Sequence, residues 1–117
     1  MSIQLVILLP ALFAVMFLGM QAALFYHARS VAIAAAEEGA RAASAESGTQ
    51  SDGVAAADAF VSDAGGDDVL SSVGVTADRT ATTVTVTVTG HSLSVIPGWT
   101  PQIVQSASLP TERITAP

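Results

Sequence analysis

The first 28 residues carry no charged side chain, and an apolar run from 3 to 26 passes without a break into an alanine-rich stretch ending near Ser47. A backbone running through surroundings this apolar must satisfy its own polar groups, and a single helix does so within one segment. About 20 mostly apolar residues at about 1.5 Å each cross a hydrocarbon core of about 30 Å. Between Ile3 and Phe25 there are 13 Leu, Ile, Val or Phe. Each contributes roughly −0.3 to −0.6 kcal/mol at mid-membrane, enough together to offset Gln4 and Gln21. Pro10 lies beyond a first turn and is expected to kink or loosen the helix, which membrane helices tolerate. A secretory signal peptide is the rival, with Ala32-Ile33-Ala34 as its cleavage site. It lacks a basic start, however, since no Lys or Arg precedes Arg29, and the apolar run is too long.

From His27 the polarity rises while helix propensity stays high, and nothing breaks the helix before Gly48. Glu37 and Arg41 stand at i, i+4 with the acid first and are expected to pair on a solvated stripe. Small residues recur four apart in Gly19 and Ala23, in Ala28, Ala32, Ala36 and Ala40, and in Gly39 and Ala43. That spacing predicts close helix-to-helix packing.

Residues 48–117 read as a small α+β unit following the 1–47 transmembrane and stem helix. The polar break Gly48 to Gly53 offers Ser51 or Asp52 as cap for a short second helix over 54–62. Its apolar face would hold Val54, Ala57 and Val61. An acidic turn follows at 63–68, with neither the spacing nor the ligand count of an EF-hand loop. Residues 69–78 alternate around Val73, Val75 and Ala77; residues 82–89 alternate with Val84, Val86 and Val88 inward and threonines outward. The pattern predicts two strands joined by a hairpin at 78–81, in a sheet buried on one face. A loop through 96–101 leads to a third apolar segment, Ile103, Val104, Ala107 and Leu109, before a polar tail. The fold expected is α+β, with a long helix, a short helix and a three-stranded antiparallel sheet.

All ten Asp and Glu lie beyond the apolar run, against four Arg and no Lys, for a net charge of −6. Nucleic-acid binding, which needs clustered cations, is excluded on that balance. Without cysteine there is no thiol chemistry or thiolate metal site. The histidines, His27 and His91, are far apart in sequence, and no nucleophile elbow, zinc-protease motif or phosphate loop is present. No catalytic residue, metal or cofactor is expected. Tyr26 and Trp99 read equally well as interface aromatics or as small-core aromatics. Charge does not orient the span, because Arg29 and Arg41 are diluted by Glu37, Glu38 and Glu46.

The uncharged start with Gln4 near its tip, then Tyr26-His27-Ala28-Arg29, the alanine-rich segment through Glu38-Gly39-Ala40-Arg41 and a β-rich end, resembles the TadE-like pseudopilins of tight-adherence (Tad/Flp) pili. The ending Ala107 to Arg113 is a looser likeness to that family's C-terminal pattern. The resemblance implies a type IV pilin-like subunit of a bacterial adhesion pilus or related secretion filament. Such a subunit is anchored in the cell membrane as a single-pass protein with its C-terminal domain extracytoplasmic. Its implied partners are membrane lipid, other pilin or pseudopilin subunits, a prepilin peptidase and the Tad assembly machinery. Gln4, Pro10, Gly19, Ala23, Ala32, Ala36, Gly39, Ala40 and Ala43 would then line the assembly helix, with Glu37 and Arg41 at its surface. Pilins usually carry glutamate at mature position five, where this chain has Gln4, and no basic leader precedes Met1, so numbering would start after processing or the chain would not be cleaved. The residues also fit a single-span anchored module whose sheet and 96–101 loop contact an extracellular ligand.

Overall fold

The structure, a computed structural model, describes residues 3–112. Met1 and Arg113, both part of the resemblance, lie outside the described residues. Helix α1 (Ile3–Ser44) is continuous through Pro10. Its 42 residues extend about 63 Å at about 1.5 Å per residue. Helix α2 (Gln50–Asp63) and a short 3-10 turn (Gly66–Asp68) follow. Strands β1 (Leu70–Arg79), β2 (Thr83–Ser92) and β3 (Gln102–Pro110) form one antiparallel sheet in the order β1-β2-β3. The α+β architecture is thus the one the sequence patterns call for.

The core is thin because the helix that covers the sheet is built from small residues. Ala28, Val31, Ala32, Ala35, Ala36, Ala40 and Ala43 are buried along one face of α1 at i, i+3 and i+4 spacing. Opposite them stand Val84, Val86 and Val88 from β2 and Ile103 from β3, while Ala57 and Val61 from α2 and Leu70 from β1 complete the cluster. Alternation along β2 puts these valines inward and Thr83, Thr85, Thr87 and Thr89 on the other face. There Thr85 and Thr87 meet Ser108 and Ser106 of β3 through hydroxyl hydrogen bonds of 2.9 and 2.8 Å. Residues from both sides of position 47 share this one core.

Several local expectations are corrected. Helix α1 ends at Ser44, not Ser47, because tertiary partners take its last carbonyls: Glu112 N donates to Ser44 O at 2.8 Å, and Arg79 Nη2 donates to Ala45 O at 3.3 Å. Helix α2 starts at Gln50 rather than 54, and its cap is Thr49 rather than Ser51 or Asp52. Thr49 Oγ1 accepts from Asp52 N at 3.1 Å while the Asp52 carboxylate accepts from Thr49 N at 3.0 Å, a reciprocal capping box. Strand β2 continues past Thr89 to Ser92, since Gly90 and His91 keep their register with Ile103 and Gln102. In β3 the inward series is Ile103, Gln105, Ala107 and Leu109, so Val104 does not share that face and is exposed. A one-residue bulge between Ser71 and Gly74 interrupts β1, with Ser72 at φ 52°.

The sheet and the stem of the helix are matched in length and lie side by side with their ends aligned. Ten residues of β2 extend about 33 Å, and α1 from Gln21 to Ser44 rises about 35 Å. At one end Ser44 meets Glu112; at the other Gln21 meets the loop joining β2 to β3. The strands therefore cover only the C-terminal half of α1, and residues 3–20 extend beyond the domain.

Candidate functional site

Every described residue from 3 to 20 is exposed. The apolar bulk of the chain is concentrated there: Ile3 is 80 % exposed, and Val6, Ile7, Leu8, Leu12, Phe13, Val15, Phe17 and Leu18 are likewise uncovered. The segment measures about 27 Å, close to a hydrocarbon core of about 30 Å. This is one helix long and apolar enough to cross a membrane, and its surface is the candidate site.

Gln21 marks where that surface stops. It is 2 % exposed, and both ends of its amide are engaged: Nε2 donates to Leu93 O at 3.2 Å and Oε1 accepts from Val95 N at 2.9 Å. A glutamine that sequence reasoning treats as a polar residue tolerated in lipid is thus a two-point clamp between α1 and the loop after β2. Burying an unpaired amide is costly, whereas one bonded to the backbone at both its ends loses little on leaving water. The only signal in sequence is a polar residue interrupting an apolar run. The clamped loop is itself ordered by local bonds. Ser94 Oγ donates to Ile96 O at 2.7 Å, and Ser92 N donates to Pro101 O at 3.0 Å. Trp99 N donates to Ile96 O at 3.3 Å across Pro97 and Gly98, the latter at φ 79°, as a type II turn requires.

The residues singled out from sequence divide into two groups. Gln4, Pro10, Gly19 and Ala23 lie on the uncovered part of α1, and a Cβ placed on Gly19 would meet nothing within 4 Å. Ala32, Ala36, Gly39, Ala40 and Ala43 are all buried. Within the chain these five are covered by its own domain. A close helix approach of the kind their spacing predicts occurs between α1 and α2. A Cβ on Gly39 would lie 2.8 Å from Gly53 O and 3.2 Å from Ala57 Cβ, and a Cβ on Gly53 would lie 2.8 Å from Ala43 Cβ. Gly39 and Ala43 on one helix thus face Gly53 and Ala57 on the other.

The expected Glu37–Arg41 pair is also replaced. Arg41 Nη1 lies 3.2 Å from Glu38 Oε2, an i, i+3 pair. Glu37 instead lines a shallow cleft with Arg41 and Ser106 to Leu109 of β3. Arg79, which sequence reasoning passed over, sits where a cation complements the C-terminal end of α1. No group of three or more His, Asp or Glu among the described residues could hold a metal ion.

No curated protein and no solved structure matches the chain. Residues 1–41 match the family model described as TadE-like protein, which covers the exposed segment and the stem through Arg41 but stops short of α2 and the sheet, so it is over its N-terminal helix that the chain is similar to TadE-like proteins.

Proposed function

We propose that the protein is a structural pseudopilin subunit, held in the membrane by residues 3–20 and assembled with other pilin or pseudopilin subunits through that same surface. The observation that supports this most is the division of α1. Its stem half is occupied by the chain's own domain, and its apolar half, of about bilayer length, is left for an outside partner. In lipid that partner is acyl chain; in a filament it is the same segment of sibling subunits, so that protein contacts replace lipid ones. The domain would face away from the cytoplasm, with a prepilin peptidase and the Tad machinery acting on the helix. The mechanism is packing, with no chemical step, in keeping with a structural family.

Cysteines placed singly at Val6, Phe13 and Gly19 test this in cells carrying the Tad components. Cross-linked dimers or mixed species should form from these positions and not from Ala36, which is buried. Monomer at all of them would overturn the proposal. Gln4→Glu should preserve assembly if Gln4 stands at the pilin glutamate position. The anchored-module reading is separated by exchanging residues 1–20 for an unrelated span while keeping Gln21. Assembly should be lost, and retained function would favour the anchor.

A further inference from the structure

We propose that the loop over residues 93–101 is a second membrane-contacting element, which seats Trp99 and Leu93 at the boundary between headgroups and acyl chains. The inference rests on the reading of residues 3–20 as the span, and adds that the folded domain lies against the bilayer at one defined corner.

Four observations carry it. The loop is fixed to α1 at Gln21, the position where the exposed apolar run ends, so its height relative to that run is set by two hydrogen bonds of 3.2 and 2.9 Å. Beyond residue 20, the large exposed hydrophobic residues among those described are Tyr26, Leu93, Trp99 and Val104. All four belong to this end of the domain: Tyr26 lies little more than one turn past Gln21, Leu93 and Trp99 are in the loop, and Val104 is the third residue of β3. The opposite end, around Glu46, Ser51, Thr80 and Glu112, presents polar and charged groups instead. Finally, residues 93–101 include no charged side chain.

An aromatic ring with one polar atom is suited to a bilayer interface, where its apolar body and its N–H meet different surroundings. Trp99 is 49 % exposed and Tyr26 62 %, so neither is a core aromatic. Helical segments that lie in the interface bury their apolar side about 5–10 Å into the headgroup and acyl boundary, a depth that a loop tied at the end of the span can reach without moving the domain. The acidic turn Asp67–Asp68 precedes β1, the edge of the sheet opposite β3. Contact is therefore assigned to the β3 side, and a bilayer without net charge is the appropriate probe.

Trp99 is the one tryptophan in the sequence, which makes the test direct. The full chain is reconstituted at low protein density in phosphatidylcholine vesicles, with bromine placed near the top of the acyl chains in a matched set. Flotation reports whether residues 3–20 hold the chain in the bilayer, and Trp99 emission reports the loop. The expected result is flotation together with a loss of Trp99 emission on brominated lipid, a blue shift, and protection from aqueous iodide. Flotation with Trp99 open to iodide and unaffected by bromine would overturn the loop proposal and leave the span reading standing. Protection that arises only as protein density rises, without lipid quenching, would give the loop to a sibling subunit and equally overturn it. Failure to float would remove the span reading, and this proposal with it.

Discussion

The two halves of α1 invert the usual relation between size and burial. In residues 3–20 the large side chains Leu, Ile, Val and Phe are exposed, while from Ala28 to Ala43 the buried positions are almost all alanine or glycine. Large apolar residues ordinarily fill a core and small ones can lie anywhere. The inversion means that the two halves have different surroundings within the chain: the stem is covered by the sheet and α2, and residues 3–20 are covered by nothing in it. The stem is selected for thinness, so that a helix can lie close to a sheet of valines and to α2. The exposed half is selected for apolar area, whose partner is outside the chain. If this contrast is right, a substitution of given size should have opposite consequences in the two halves.

The largest effect should come from removing one of the few bulky core residues. Leu70 is fully buried among alanines and valines, so Leu70→Ala should lower the unfolding free energy of the domain by about 2–5 kcal/mol. Denaturant unfolding in detergent, followed by circular dichroism, checks this. Phe13→Ala, which removes more volume from an exposed site, should leave the domain transition in place. Equal losses from the two would end the contrast.

Adding volume reverses the direction of the comparison and gives a smaller effect. Gly39→Leu has no room, since even a Cβ would approach Gly53 O at 2.8 Å, and should destabilise by about 1–3 kcal/mol or more. Gly19→Leu meets open space and should leave the domain's stability unchanged while slightly extending the apolar surface. A domain that tolerates Gly39→Leu would show that α1 and α2 are not in the contact described.

What could be read from sequence follows from which contacts are local. Alternation of Val84, Val86 and Val88 shows a half-buried strand because a strand's two faces differ by one residue. The alanine spacing in the stem likewise shows a face of small residues, yet it does not say against what; within the chain that face meets the sheet and α2. Gln21, Arg79 and Glu112 act through partners more than 30 residues away, so no local pattern could mark them. Val104 joins the third apolar segment by composition alone; its pairing with Thr89 of β2 sets its face. The apolar run was legible, since it depends on composition alone, but the end of the exposed surface at residue 20 was not, because the run reads on to 26 and the cover over Gln21 comes from a distant loop.

Gln21 stands where the halves join, and its substitution should move both. Gln21→Leu keeps the helix apolar but leaves Leu93 O and Val95 N without their partner, a loss of about 1–3 kcal/mol if they stay dry. Hydrogen exchange should speed at Val95 and its loop neighbours, with β2 near Val86 little changed. Unaltered exchange at Val95 would mean that the clamp does not hold the loop.

The smallest effect belongs to the solvated side of the stem, where the structure and the sequence pattern disagree about one pair. Arg41 meets Glu38 across 3.2 Å with both side chains largely in water, at 68 % and 48 % exposure. An exposed pair of this kind contributes about 0.2–1 kcal/mol and weakens with salt. Glu38→Ala should therefore cost a few tenths of a kcal/mol, about the range of an exposed helix pair, and lose even that at high ionic strength. Glu37→Ala should cost less, because Glu37 is not the partner of Arg41. Double-mutant cycles of each acid with Arg41 measure the difference. A larger coupling for Glu37 would restore the i, i+4 pair, whereas a coupling confined to Glu38 supports the i, i+3 pair.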